Sequence, residues 1–344
     1  MFRLGTAVGI DLGTSNILVY AKGRGIVVRE PAVVAISDGE IVAMGNEARE
    51  MLGRTPGSVS AVKPVQDGVI ANFTITQKML RYLLIRVCGR RRFLKPQVCI
   101  CVPSGATAVE KRAVIEAALT AGAKRAIPVE EPMAAAIGAG LEVTTASGHF
   151  VVDVGGGTTD IAVISLGGIV LSESVRIGGT AMDAMIVRQI KRSYNLIVGE
   201  RTAEDIKIRI GSAYPLPNET AMGVKGRDVV TGLPKTIEIS SEEVRDALAE
   251  PVASLVERVR GVLERTPPEL AADIIEQGIT LTGGGSLLQG LDRLLESQTD
   301  VPVRLAEDPL TCVAVGTGLY LELAESLPAG LLATSTEASS GYTR

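Results

Sequence analysis

One stretch near the middle of the chain limits the fold more than any other. It reads Phe150-Val151-Val152-Asp153-Val154-Gly155-Gly156-Gly157-Thr158-Thr159-Asp160-Ile161-Ala162-Val163-Ile164. Two apolar, β-branched runs flank a turn of glycine, threonine and aspartate, the pattern of a β-hairpin with a glycine-rich tip. Successive glycines predict backbone turned through φ > 0, with N–H groups converging into an anion nest. Asp153 precedes the nest and Asp160 follows it. Carboxylates beside an anion site call for a cation between them, so the stretch predicts phosphate together with Mg²⁺.

The same plan occurs near the N-terminus. Val8-Gly9-Ile10-Asp11-Leu12-Gly13-Thr14-Ser15-Asn16-Ile17-Leu18-Val19-Tyr20 is again strand, Asp, glycine and hydroxyl turn, strand. Repetition within one chain predicts a duplicated fold, with one hairpin from each half facing a shared nucleotide. Two ordinary hairpins with polar tips are the alternative, and an Asp at the same place in both disfavours it.

Length and composition narrow the classes. At 344 residues the chain has room for about two domains. A net charge of −4 gives no general attraction to nucleic acid, and with no Trp and four Phe, stacking on bases is not expected. Cys88, Cys99, Cys101 and Cys312 form no metal-ligand pattern; Cys99 and Cys101 share one face of an apolar strand and are expected as buried free thiols in a reducing compartment. The single His149 disfavours a Ser-His-Asp triad. No apolar run is long enough to span a bilayer, and Met1-Phe2-Arg3-Leu4 leads straight into a strand, with no secretory signal expected.

Strands and helices alternate along the chain, which indicates an α/β layer architecture. Asp38-Gly39 marks a two-residue hairpin turn, and a short helix from Asn46 to Leu52 follows. Thr76 is expected to cap an amphipathic helix ending at Gly89, and Thr107 with Glu110 forms a capping box. A small-residue helix, 133–141, follows Glu130-Glu131-Pro132. Helices are expected over 182–194 and from the segment 199–207, the latter with Thr202 and Asp205 as its capping box. Residues 214–235 read as loops and short strands. Ser240 and Glu243 cap a long helix that Thr266-Pro267-Pro268 breaks. Thr282-Gly283-Gly284-Gly285-Ser286 joins a strand to a helix expected from Leu287, a junction whose N-terminal dipole suits a phosphate or a flat ring. Glu204 and Lys207 lie one helical turn apart and on their own read as a solvated ion pair. A P-loop is ruled out because no Gly-Lys dipeptide occurs, and a dinucleotide fingerprint because both aspartate-bearing glycine turns lie between two strands.

These motifs, in this order, resemble the actin, Hsp70 and sugar-kinase superfamily. Residues 10–16 look like its first phosphate loop, 153–160 its second and 282–286 its adenosine loop, while 130–140 and 314–318 resemble the two helices at its hinge. Gly68-Val69-Ile70-Ala71, 199–207 and 264–270 narrow the likeness to the MreB/Mbl family of bacterial rod-shape proteins. The resemblance runs from about Val8 to Tyr320. It implies a duplicated actin-like (ribonuclease H-like) α/β fold, two lobes with a nucleotide cleft between them. Lobe I is expected over 1–31, 64–145 and 310–332, with a small subdomain inserted at 32–63. Lobe II is expected over 146–177 and 240–309, with an insert at 178–239, and 333–344 is expected as a disordered tail.

The resemblance also implies roles. Asp11 and Asp153 would hold Mg²⁺ through water. The backbones of Gly13, Thr14, Ser15 and Asn16 and of Gly155, Gly156, Gly157 and Thr158 would cradle ATP phosphates. Glu131 would orient the attacking water, with Thr158 and Asp160 in support. Glu204, Asp205, Lys207, Gly283, Gly284, Gly285 and Ser286 would hold ribose and adenine. The expected activity is a slow Mg-dependent ATPase coupled to filament formation. Two other classes fit the core motifs: a monomeric ATP-dependent small-molecule kinase and a non-hydrolysing nucleotide-gated scaffold.

The segment Arg90-Arg91-Arg92-Phe93-Leu94-Lys95-Pro96 sets an apolar pair among cations. Such a loop suits an anionic membrane surface, with Phe93 and Leu94 inserting; the alternative has both folding back onto the core. The family implies self-assembly into protofilaments on the inner face of the cytoplasmic membrane, with transmembrane shape-complex and wall-synthesis proteins as partners and no nucleic acid.

Overall fold

The computed structural model describes residues 7–51, 59–89 and 95–326. The segment with Phe93 and Leu94, the first six residues and the tail at 333–344 lie outside the described residues.

The first half builds one five-stranded sheet. β1 (Ala7–Leu12), β2 (Asn16–Ala21) and β3 (Gly25–Pro31) form an antiparallel meander. Beside it, β4 (Val34–Ser37), β5 (Glu40–Met44) and β6 (Val59–Val62) form a separate three-stranded sheet that carries α1 (Asn46–Met51). The turn between β4 and β5 is Asp38-Gly39, both at positive φ, as a two-residue hairpin requires. A small ladder, β7 (Val65–Gln66) with β8 (Val69–Ile70), leads into α2 (Phe73–Cys88). The cap of α2 is Asn72, whose side chain accepts from the Ile75 amide at 3.1 Å. Thr76 is not the cap: it is buried within the first turns, and its hydroxyl donates to Asn72 and Pro64 carbonyls. β9 (Gln97–Val102), α3 (Ala108–Ala121) and β10 (Arg125–Glu130) add two parallel strands, giving the order β10-β9-β1-β2-β3.

The second half repeats the plan. After α4 (Glu131–Gly138), β11 (His149–Val154), β12 (Thr159–Ser165) and β13 (Gly168–Val175) form the meander. α5 (Gly179–Tyr194), β14 (Leu196–Ile197), α6 (Glu200–Ile210), β15 (Ala221–Asp228) and β16 (Pro234–Ser240) build the second three-stranded sheet and its helices. α6 starts at Glu200 with Gly199 as its cap, so Thr202 and Asp205 lie inside the helix rather than capping it. The span 214–235, read as loops and short strands, contains β15, which pairs antiparallel with β16 just beyond it, Ala221 standing opposite Ser240 and Arg227 opposite Pro234. α7 (Ser241–Arg265) carries the Ser240/Glu243 capping box and runs on through Pro251. α8 (Pro268–Gln277), β17 (Ile279–Thr282), α9 (Leu291–Thr299), β18 (Val303–Leu305) and α10 (Cys312–Ser326) complete the chain. The sheet order β13-β12-β11-β17-β18 is the first sheet's order element for element.

The two halves meet along α4 and α10. A Cβ on Gly138 would lie 1.8 Å from the Cys312 carbonyl oxygen, and one on Gly316 would lie 1.7 Å from that of Ala134. The small-residue composition of α4 is thus explained by close helix approach. In one lobe the β11–β12 strands pack on α5 and α7, in the other the β1–β2 strands pack on α2 and α3, and a third cluster around α4 and α10 joins Cys99, Cys101 and Val129 of the first sheet to Val151, Ala162 and Ile164 of the second.

Candidate functional site

Both glycine hairpins end at the carboxyl ends of their strands, where open α/β sheets gather ligands. Their tips face each other. A Cβ on Gly156 would lie 2.2 Å from Ser15 Oγ, and one on Gly157 would lie 2.5 Å from Thr14 Oγ1 and 3.0 Å from Asp67 Cα. None of Gly155, Gly156 and Gly157 has positive φ. The glycines are there for closeness between the lobes, not for a left-handed backbone. Gly283, by contrast, does have φ +79 and lies against the Val154 carbonyl.

The cradle is smaller than the sequence suggests. The Gly155 amide donates to Thr158 O at 2.8 Å, closing the hairpin and removing it as a phosphate donor. α5 docks onto the tip from behind: the Gly179 and Thr180 amides donate to Gly155 O and Gly156 O at 3.0 and 2.7 Å. That leaves the Gly156 and Gly157 amides outside any backbone hydrogen bond among the described residues. On the opposite tip, Thr14 Oγ1 accepts from the Gly68 amide at 3.1 Å.

Between the tips lies a cavity of about 460 Å³. Asp11, Gly13, Thr14, Ser15 and Asn16 line it from lobe I, and Asp153, Gly155, Gly156, Gly157 and Thr158 from lobe II. Glu131, Glu204, Lys207 and Gly283, Gly284 and Gly285 complete the wall, with Leu288 and Leu310 supplying an apolar end. A larger groove of about 1020 Å³ runs along α7, but no glycine turn reaches it. Volume alone would choose that groove; the convergent polar groups choose the smaller cavity.

The floor is acidic. Burial pushes the Asp11 carboxyl up to about 6, with the Cys101 thiol, which donates to its Oδ1 at 3.3 Å, pulling the other way. Burial pushes Asp153 up to about 7, opposed by the Thr282 hydroxyl, which donates to its Oδ1 at 2.8 Å. Glu131 is held well above the usual carboxylate range, first by burial and then by Asp160, Asp153 and Asp11. Asp160 is fully buried and also raised. Its Oδ2 makes no well-formed hydrogen bond, and the Ser174 and Thr158 hydroxyls lie near the carboxyl group. Crowded, desolvated carboxylates at the cavity, Asp11, Asp153 and Glu131, fit a hard, oxygen-seeking dication. Among the described residues no three His, Cys, Asp or Glu side chains are grouped tightly enough to enclose a metal. Mg²⁺ keeps several waters and takes one or two carboxylates, a number that Asp11 and Asp153 could supply.

The MreB/Mbl protein family profile matches residues 5–328. The chain belongs to the MreB/Mbl family. It is 52% identical over 323 residues to the cell shape-determining protein Mbl of Bacillus cereus, covering 93% of this chain and 97% of that protein. It is 52% identical over 324 residues to the cell shape-determining protein MreB of Escherichia coli, covering 92% and 93%. The crystal structure of Spiroplasma citri MreB5 bound to AMPPNP superposes with a TM-score of 0.89 at 38% identity, covering 94% of this chain and 97% of that one. A MamK double helical filament shares the fold, with a TM-score of 0.79 at 24% identity. The chain is therefore an actin-like cell-shape protein, and the small-molecule kinase reading is not favoured.

Within this MreB/Mbl-family cleft, several side chains stand elsewhere than the sequence implies. Asp205 is exposed and does not line the cavity. Ser286 is buried, its hydroxyl donating to Gly283 O at 2.6 Å to close a single 3₁₀ turn, Gly284–Leu287. The helix expected there begins only at Leu291. Glu204 and Lys207 do not pair. Lys207 Nζ lies 2.8 Å from Asp183 Oδ1 and donates to Gly179 O at 2.8 Å, while Glu204 accepts from Arg49 at 2.5 Å. The one-turn spacing puts both on one face, but each finds a better-placed partner on a neighbouring element. Arg29 and Arg49 also line the cavity, and no local sequence signal marks either. Cys101 reads in the sequence as a buried thiol and Thr282 as the start of the adenosine-loop junction; their contacts with Asp11 and Asp153 were not readable, since those partners come from other strands.

Proposed function

We propose that this chain binds ATP with Mg²⁺ in the cleft between its lobes, hydrolyses it slowly, and couples that cycle to filament assembly on the inner face of the cell membrane. The carrying observation is the convergence of both hairpin tips, Glu131 and the raised carboxylates on one cavity. The structures of Spiroplasma citri MreB5 bound to AMPPNP and to ADP support the nucleotide. The relatives' name as cell shape-determining proteins supports the wider role, which would involve transmembrane shape-complex and wall-synthesis partners.

In this reading Asp11 and Asp153 would hold Mg²⁺ through water, and the ion would supply charge neutralisation at the phosphate oxygens. Gly156 and Gly157 offer amides to the terminal phosphate. Glu131, in the first turn of α4, orients a water and takes its proton; raised proton affinity suits that task. Thr158, buried at the tip beside Asp160, supports the same water. Lys207, tethered by Asp183, and the Gly283 turn flank the nucleoside, with Glu204 reaching the ribose. The test is phosphate release by Glu131→Ala: a fall of at least about 100-fold, with ATP still bound, is expected. Release at the wild-type rate would remove hydrolysis by this cleft. No helix among the described residues is long and apolar enough to cross a membrane. The apolar pair Phe93 and Leu94 among Arg90, Arg91, Arg92 and Lys95 supports membrane contact by that segment, and replacing both with Asp should abolish sedimentation with anionic liposomes.

A further inference from the structure

Asp160, expected from the sequence to support the attacking water, is a buried carboxyl that stands outside the cavity lining. Asp160 lies directly opposite Asp153 in the β11–β12 ladder, so both carboxylates stand on the same face of the hairpin. Asp153 lines the cavity, and Asp160 does not. Its Oδ1 is taken instead by the other lobe: the Ser104 amide and the Ser104 hydroxyl both donate to it at 2.8 Å. Both donors meet a residue with no exposed surface, where water cannot replace a lost bond.

Ser104 is held firmly. It sits in the turn after β9, closed by Ala106 N donating to Pro103 O at 3.0 Å. Gly105 in that turn abuts lobe II: a Cβ there would lie 3.1 Å from Ser174 Cβ on β13. On the lobe I side, β9 and β10 are parallel neighbours, with Val102 level with Glu130. The Ser104 turn and Glu131 therefore leave adjacent strand ends side by side. One rigid edge of lobe I carries both Glu131 and the grip on Asp160. At the other end of that grip, two residues before Asp160, is Thr158 at the glycine tip.

We infer that Ser104 and Asp160 form an interlobe clasp that sets the spacing between Glu131 and the phosphate tip at residues 155–158, making Ser104 and Asp160 positioning residues for hydrolysis. The inference rests on the proposed ATPase reading. The clasp lies beneath the cavity rather than in its lining, so it bears on where Glu131 stands more than on how tightly nucleotide is held. A clasp that fails leaves ATP bound and Glu131 misplaced, and misplacement of about an ångström is enough to cost a large factor in rate.

The test compares the wild-type protein with Ser104→Ala, Ser104→Thr and Asp160→Asn, measuring phosphate release at saturating ATP, the ATP concentration for half-maximal rate, AMPPNP binding and thermal midpoint. Asp160→Asn should lower the maximal rate roughly 30-fold and Ser104→Ala about 10-fold, since the alanine keeps the amide donor. Half-maximal ATP concentration and AMPPNP affinity should move less than about threefold. Ser104→Thr, which keeps the hydroxyl, should restore most of the rate. The inference is overturned if Ser104→Ala and Asp160→Asn hydrolyse like wild type. It is equally overturned if rate, AMPPNP binding and thermal midpoint fall together, which is the signature of a structural bond only. A wild-type protein that releases no phosphate would instead overturn the ATPase reading itself.

Discussion

The two glycine hairpins look like copies in the sequence, yet they are held differently. In the first, Asp11 stands opposite Leu18 and accepts from the thiol of Cys101 at 3.3 Å. In the second, Asp153 stands opposite Asp160 and accepts from the Thr282 hydroxyl at 2.8 Å. The second tip is also braced from behind by the first turn of α5. A thiol is a weak donor and a hydroxyl an ordinary one. Duplication has thus kept the backbone plan and let the side-chain supports diverge, so that one tip is a loosely held acid and the other a fixed, doubly acidic platform.

The sharpest way to break the pairing is to push the tips apart. In Gly157→Val the new carbons would meet Thr14 and the Asp67 backbone inside contact distance, and backbone cannot give as a side chain can. ATP affinity measured by calorimetry should fall by more than about 100-fold, since overpacking of this kind costs roughly 1–3 kcal/mol before any phosphate contact is lost. Next in size is a direct comparison of supports. Thr282→Val removes a buried donor to Asp153 and should weaken Mg²⁺-dependent nucleotide binding about 10-fold, in line with the loss of an outer-shell partner. Cys101→Ala, its counterpart under Asp11, should change the same measurement by less than about threefold. Equal losses would mean that the two tips are not supported differently.

The features legible in the sequence were those written by neighbours along the chain. The Asp38-Gly39 turn, the Thr107/Glu110 and Ser240/Glu243 capping boxes and both aspartate-bearing hairpins are short-range patterns, and each appears where its residues predict it. Caps misplaced by a few positions, at Thr76 and Thr202, had a rival close by: Asn72 and Gly199 end the extended segment earlier. What could not be read was long-range pairing. Ser104 with Asp160, Cys101 with Asp11 and Arg49 with Glu204 join residues far apart in the chain, and no periodicity or spacing connects them. The glycine run at 155–157 was recognised for the right place and the wrong reason, because φ > 0 and the lack of a Cβ leave the same letter in the sequence.

The acidic floor gives a pH dependence of defined sign. In the folded protein burial pushes Asp11 up to about 6 and Asp153 up to about 7, above their values in the unfolded chain. Between pH 4 and pH 7 the folded state therefore binds more protons, so stability falls as pH rises through this window. Asp11 and Glu131 keep part of their surface open to the cleft, and water there softens the penalty. A loss of roughly 1 kcal/mol, about 2–4 °C in the thermal midpoint, is expected between pH 5 and pH 7.5. Mg²⁺ with AMPPNP should flatten the slope, because a bound dication removes the advantage of protonation. Asp153→Asn should flatten it more than Asp11→Asn, since Asp153 is raised further and Asp160 and Asp11 both bear on it.

The smallest effect lies at the mouth of the cleft. Arg49 on α1 meets Glu204 on α6 at 2.5 Å, and Lys63 meets Glu200 one turn earlier at 3.2 Å. Both pairs cross between the inserted sheets, and their positions suggest closure. Magnitude argues against a large part. The Arg49 and Glu204 side chains are 33% and 32% exposed, and Glu200 is 79% exposed, so water and salt screen each pair. Arg49→Gln should lower stability by less than about 1 kcal/mol and change ATP affinity by less than about threefold, with the difference vanishing in high salt. Glu204 is also the residue assigned to the ribose, and its carboxylate cannot be fully committed to both. If Arg49→Gln instead tightens ATP binding, the ion pair competes with the ribose, and the mouth, like the floor, is a place where the two lobes contend for one carboxylate.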